Sequence, residues 1–334
     1  MKKFLLSIAM MLISMPAFAV TLKLATVTPD GSQWMKEMRD SAAQIKERTE
    51  GRVQIKYYGG GVKGDDAKVL GQIRIRQLQG GAFIPSALSS QYADLNLYGM
   101  PLVFNSEEEA AFVRSRMDAR LQEGLEEAGF VNFGFATSGF ANIMSATPVR
   151  SLKDLKGKRV WVPEGDAISY QSMEALSLNP VTLPLTDVLT GLQTGLIDIV
   201  AIPPIVALVL QWHTKVKYIT KVPLVYTFGF MAIDKKVFDT ISDADRVIVN
   251  EVMTKTYQRF DQTNLVDNQG AYEALLKSGI QPIKFDDDEF IKVRDLLLTS
   301  NLKLGASGAF SLELYREMLG YINDYRSGHA AAGE

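Results

Sequence analysis

Two stretches of this chain, 119 residues apart, carry one pattern, and that pattern restricts the fold more than any other feature. Val69 and Leu70 match Val188 and Leu189, and Ile73 matches Leu192. Further on, Leu78 matches Ile197, Ala82 matches Ala201 and Pro85 matches Pro204. Each stretch reads as a helix, a tight turn and a short buried strand followed by proline. The repetition predicts two lobes of similar α/β design. In open α/β sheets ligands sit beyond the carboxyl ends of the strands, so both strand ends are expected to face one cleft.

The flanking sequence extends the alternation. Thr21 to Thr26 and Val53 to Tyr57 alternate apolar and polar residues, as half-buried strands do. Between them Ser32 can cap a helix whose apolar positions Trp34, Met38, Ala42 and Ile45 fall on one face. Asp65-Asp66 opens a helix before the strand Gly80 to Ile84. Later, Val160 to Pro163, Pro180 to Leu183 and Asp198 to Ile202 read as strands, with a helix opened by Asp187. The fold class is therefore α/β, with mixed sheets and helices on both faces. After Phe228 the pattern is mostly helical, with candidates at Asp243 to Leu276, Asp287 to Thr299 and Leu312 to Arg326. The first would run about 50 Å at 1.5 Å per residue, enough to cross both lobes. The expected division is lobe I from 20–138 plus 228–268, lobe II from 139–227 plus 269–326, and a disordered tail at 327–334.

The compartment is read from the first residues. Lys2 and Lys3 precede an apolar run from Phe4 to Met15, and Ala17-Phe18-Ala19 has the small-x-small form of a cleavage site. The run is shorter than the ~20 residues of a spanning helix. A cleaved signal peptide over 1–19 is expected, with the mature chain outside the cytoplasm. Loss of the two lysines takes the formal charge from −2 to −4, which offers nucleic acid no electrostatic footing. The chain has no cysteine, so disulfides and thiolate chemistry are excluded.

Motifs for chemistry are sparse. Gly59 to Gly64 spells G-x-G-x-x-G between a strand and a helix, but no acidic residue closes the following strand to hold a ribose. A turn at the cleft edge is the better reading, and no cofactor is expected. Of the two histidines, His329 lies in the tail and His213 follows Trp212. One histidine without cysteine cannot build a His-rich metal site, and no G-x-S-x-G elbow supports a triad. The acidic run Asp286 to Glu289 lacks calcium-loop spacing and suits a helix N-terminus. Trp161 stands out, at a strand end running into Glu164-Gly165-Asp166, where an aromatic suits a ligand wall.

The chain resembles the solute-binding proteins of the TRAP (tripartite ATP-independent periplasmic) transporters, DctP type. Thr28 to Trp34 after strand one, Ser151 to Lys158, Val162-Pro163 and Leu192 to Asp198 carry the resemblance, which spans nearly the whole mature sequence. It implies a periplasmic-binding-protein-like fold of type II kind, with two lobes joined by crossing strands and a long helix. It also implies a periplasmic location, a cleft that closes by hinge motion, and delivery to a membrane permease. Three positions depart from the family. Trp161 and Ala141 stand where members that bind carboxylates usually carry arginines, and Ile202 where a polar residue, often Asn, precedes proline.

A buried carboxylate needs paired charge or several hydrogen bonds, and indole offers one N–H at best. The expected ligand is therefore not a small dicarboxylate. A larger apolar or aromatic solute, or a cation held by Glu164 or Asp166, fits better. Pocket lining is expected from Trp161, Phe140, Gln79, Gly80, Ile202 and Glu164, then Trp212, His213 and Phe228. The protein is expected to act alone, without enzymatic activity. Competing readings are an exported enzyme using Glu164 and Asp166 as acid and base, and a ligand-sensing subunit of a receptor.

Overall fold

The computed structural model describes residues 19–330. The leader, apart from Ala19, and residues 331–334 of the tail lie outside the described residues.

The chain begins with β1 (Val20–Ala25), α1 (Gln33–Arg48) and β2 (Val53–Tyr58), a parallel βαβ unit with Leu22 opposite Ile55. The Ser32 hydroxyl accepts the Met35 N–H at 3.2 Å, which fixes the start of α1. Met35, Met38, Ala42 and Ile45 then fall on its buried face. The chain continues through α2 (Asp66–Arg74), β3 (Gly80–Phe83), α3 (Glu107–Glu127), β4 (Phe130–Val131) and β5 (Ala136–Ser145). The second α/β unit follows as α4 (Leu152–Leu155), β6 (Arg159–Pro163), α5 (Ala167–Ala175), β7 (Asn179–Leu183), α6 (Val188–Thr194), β8 (Ile199–Ile202) and α7 (Pro204–Val209). Next comes β9 (Tyr218–Asp234), a 17-residue strand. The rest is α8 (Lys235–Phe238), α9 (Asp243–Lys277), β10 (Gln281–Ile283), α10 (Asp287–Ala306) and α11 (Leu312–Ala330).

The strands order as β2-β1-β3-β9-β5-β8-β6-β7. The C-terminal end of β9 pairs with β3 (Ala82 opposite Met231), and its N-terminal end with β5 and β10. This one strand thus belongs to both sheets, and β5 crosses beside it. The chain after Phe228 is mostly helical, as expected, although β9 first runs on to Asp234.

Each lobe has its own core. Leu22, Leu24, Met35, Val252 and Phe260 pack one face of the first sheet, and Val113, Met117, Leu121, Tyr315 and Met318 the other. In the second lobe Val160, Val162, Leu176, Val293 and Leu297 cluster on one side, and Val200, Trp212, Ile219 and Leu275 on the other. The 35-residue α9 supplies Val252 and Phe260 to the first lobe and Leu275 to the second. Its middle is polar because it grips the crossing strand. Asp261 accepts the Thr137 N–H at 2.9 Å and Asn264 donates to the Thr137 carbonyl at 2.7 Å. One turn further on, Asn268 accepts the Ile205 N–H of α7 at 3.1 Å. Beside this grip β5 bulges between Thr137 and Gly139, and Gly139 has a φ of +83° that is open to glycine.

Two boundaries need correction. The expected lobe II segment 269–326 does not stay in one lobe, since α11 packs its Leu314, Tyr315, Met318 and Ile322 into the core with α3. The tail is not disordered from 327, because helix continues to Ala330. The Arg326 guanidinium holds that end down, with two nitrogens on Glu109 at 2.9 and 2.8 Å and one of them also on the Val103 carbonyl at 3.2 Å.

Candidate functional site

The two repeated strand ends meet across one cavity of ≈ 330 Å³, at the lower end of the range for small-molecule sites. Phe83, Ile84, Pro85 and Ser86 reach it from the end of β3, and Ala201, Ile202 and Pro203 from the end of β8. The end of β6 adds Trp161, Pro163 and Asp166. The crossing strands form the floor through Ala136 and Ala141 of β5 and Leu224 to Phe230 of β9. Thr26 and Thr28 follow β1, Asp66 opens α2, and α9 contributes Tyr257 and Asn264.

Trp161 is almost wholly buried. Its ring meets Trp212 edge-on at 5.2 Å, and its Nε1–H donates to the Leu183 carbonyl at 3.0 Å. The indole therefore presents carbon to the cavity, its one donor spent on β7. Phe228 stands in an aromatic cluster with Phe135 at 5.1 Å and Tyr98 at 5.7 Å. Tyr226 turns its hydroxyl to Arg114, which donates to it at 3.1 Å. Burial pushes that phenol up to about 12, so it stays neutral. Arg114 itself lies behind the wall, holding Asp118 at 2.9 Å, Asp261 at 2.6 Å and the Phe135 carbonyl at 2.9 Å.

Charge in the cavity is of one sign. Among the described residues that line it there is no Arg, Lys or His, and the ionisable acids are Asp66 and Asp166. Asp66 is pushed up to about 7, first by burial and then by the like charges of Asp65 and Glu164. Asp166 caps α5, accepting the Ser169 N–H at 2.9 Å, yet burial still raises its carboxyl above the usual range. The Ser86 hydroxyl, buried in the wall beyond β3, has no hydrogen-bond partner among the described residues.

The lobes touch at the cleft mouth. Gly165 approaches Ser86 so closely that a Cβ built on it would lie 2.7 Å from the Ser86 carbonyl oxygen. Gly61, in the glycine-rich turn, faces Thr186 of the other lobe. That turn cannot cradle a phosphate here, because the Gly60 and Gly61 N–H groups donate to the Thr28 and Thr26 carbonyls at 2.8 and 3.0 Å.

Residues 24–299 match the model of a family described as DctP, bacterial extracellular solute-binding protein, family 7. The chain belongs to this family. It is thus a solute-binding protein of the DctP type, with receptors rather than enzymes as its relatives. The 2,3-diketo-L-gulonate-binding periplasmic protein of Escherichia coli is 23% identical over 76% of this chain and 80% of that protein. An uncharacterised Salmonella typhimurium protein is 25% identical over 46% of this chain. The chain spans about half the length of the first such curated relatives, 48% and 49% in two of them. The fold is shared with the sugar acid binding protein of Advenella mimigardefordensis in complex with galactonate, at a TM-score of 0.84 and 18% identity over 92% of this chain and 98% of that one. A TRAP periplasmic solute-binding protein of Xanthobacter autotrophicus with bound β-D-galacturonate gives 0.81 and 20%, over 90% and 98%. No helix among the described residues of this solute-binding protein is long and apolar enough to cross a membrane.

The structure places the expected site residues unevenly. Trp161, Ile202 and Phe228 line the cavity, as does Ala141. Trp212 stands behind Trp161, fully buried. His213 directs Nδ1 to the Ala207 carbonyl at 3.1 Å, away from the lining. Phe140 is corrected to a supporting place, its ring packing on Tyr226 at 5.5 Å and its N–H donating to Glu107 at 3.2 Å. Gln79 and Gly80 are corrected too. They sit at the start of β3, the far end from the cleft. The Gln79 side chain accepts the Lys23 N–H at 2.9 Å, and Gly80 lies tight against Ala232. Glu164 is exposed, does not line the cavity, and acts on it through its charge on Asp66. Asp66 and Ser86 were missed. The proline after β3 was a usable signal for Ser86, since the chain beyond a buried parallel strand is where ligands sit.

Proposed function

We propose that this protein is a periplasmic receptor, acting alone, that captures an apolar or aromatic solute other than a dicarboxylate and hands it to a TRAP-type membrane permease. The lining carries the reading. A dicarboxylate would enter a cavity with no basic side chain among its described residues and two acids already present. Its charge would go unpaired in a site of low polarity, which costs far more than carbon contacts return. The walls of Phe83, Ile84, Trp161, Ile202 and Phe228 suit a carbon-rich body instead.

Binding needs no bond making. Contacts to both β3 and β8 ends exist only with the lobes together, so a solute touching both stabilises the shut form by that difference. A thermal-shift screen over acids, amines, sugars and aromatic compounds tests the proposal. Ligand at a hundred times its Kd adds about 2.7 kcal/mol to stability, which at about 2–4 °C per kcal/mol raises Tm by roughly 5–10 °C. Succinate and malate should leave Tm unmoved, and tight binding of either by calorimetry would overturn the proposal.

A further inference from the structure

Resting on that receptor reading, we infer that Asp66 and Asp166 determine specificity in the cleft, and that the solute they select carries an organic ammonium on an apolar or aromatic body. Asp66 comes from the first lobe and Asp166 from the second. Nothing in the lining neutralises either. The groups acting on Asp66 are Asp65 on its own helix and Glu164 from the opposite lobe, both acidic. The nearby cation, Lys68, is committed to Asp65 at 3.0 Å, and its charge is further stabilised by Asp187 and Glu164. Ser86, 6% exposed, adds an unpartnered buried hydroxyl to the wall beyond β3.

Carboxylates held without a cation in an apolar cavity carry an unmet demand for charge and, at Asp66, which unlike Asp166 caps no helix, for hydrogen-bond donors. An ammonium supplies both in one group, and the faces of Trp161, Phe83 and Phe228 add cation–π attraction. A metal ion answers the demand less well, since no cluster of three or more His, Asp or Glu able to hold one occurs among the described residues. A carboxylate on the solute would instead meet like charge. Ammonium binding must also draw the proton off Asp66, which otherwise ionises only near 7.

The test uses solutes of one skeleton that differ in charge: 2-phenylethylamine, 2-phenylethanol and phenylacetate, with tryptamine, tryptophol and indoleacetate as the larger set. Calorimetry on the mature protein should rank amine above alcohol above acid. Asp66→Asn and Asp166→Asn should each weaken amine binding on the order of tenfold to a hundredfold and shrink the preference for amine over alcohol. Asn remains a good cap for α5, and the wild-type ranking stands whether or not a variant folds. Titrations at pH 7 in buffers of different ionisation enthalpy should show protons released on amine binding, with affinity rising from pH 6 to 8. Equal binding of amine and alcohol, or no amine bound at millimolar concentration, overturns the ammonium inference and leaves the apolar-solute reading to the broader screen. Acids binding best in both sets likewise overturns the ammonium inference alone, whereas tight binding of succinate or malate overturns both.

Discussion

Gly165 offers the sharpest probe of lobe closure, because one substitution there has two separable costs. Its φ of +82° lies in the left-handed region, where a side chain costs about 1–2 kcal/mol. That cost falls on the folded protein in every arrangement of the lobes. A Cβ would also sit 2.7 Å from the Ser86 carbonyl oxygen, a clash that exists only while the lobes are together. Forced overpacking of this kind costs about 1–3 kcal/mol. Borne by the shut form alone, it appears as a roughly 5- to 150-fold weaker Kd. Gly157 is the matched control, with φ of +76° and no atom within 4 Å of the place a Cβ would take. Gly157→Ala should lower Tm by a few degrees, at about 2–4 °C per kcal/mol, and leave affinity unchanged. Gly165→Ala should lower Tm by a similar amount and weaken binding of the compound giving the largest thermal shift, measured by calorimetry. Equal affinities in the two variants would refute the reasoning, since the Gly165–Ser86 contact would then play no part in the bound form.

Two further outcomes concern the joint between the lobes. Glu107 accepts the Phe140 N–H, has a second carboxyl oxygen buried without a partner among the described residues, and is pushed up to about 7, chiefly by burial. The folded chain then keeps a proton that the unfolded chain has lost between about 4.5 and 7, so its stability declines as pH rises through that window. Glu107→Gln should flatten the decline, with the gain over wild type widening from pH 5 to 7 and constant above; parallel urea-unfolding curves would contradict this. Arg114→Met leaves the half-buried Asp118 and Asp261 without their shared guanidinium and should cost about 1–3 kcal/mol in urea unfolding; a loss under about 1 kcal/mol would mean the network is not stabilising.

Local pattern made much of the fold readable. The Ser32 cap and the helical spacing of Met38, Ala42 and Ile45 are present as read, and the offset pair of strand–proline endings became opposite walls of the cavity. The crossing strands were not readable. β9 mixes Lys221 and Pro223 into an apolar run and serves two sheets, so no single alternation describes it. Helix α3 was readable but unread, since Ala110, Val113, Met117, Leu121 and Leu125 keep helical spacing. At the site, Trp161 announced itself as an aromatic at a strand end, but its hydrogen bond to Leu183 is a tertiary contact that no local pattern encodes. Asp66 was hidden by its neighbour. Asp65 is the true helix cap, and an acid in the first turn reads as ordinary dipole compensation until the far lobe supplies Glu164. Gln79 and Gly80 stand at the entry to β3, the end away from the cleft, and no local pattern says which end of a short strand faces a ligand.

The placement of β9 has a consequence for how the molecule is built. Gly80 waits for Ile233, about 150 residues downstream, before β3 has a neighbour on its second side. Any nascent chain or truncation that stops short of β9 leaves that flank unpaired, with N–H and C=O groups open to a foreign strand. Neither half of the molecule can be excised as one contiguous piece, and assembly is a late, long-range event governed by loop closure rather than by the order of synthesis.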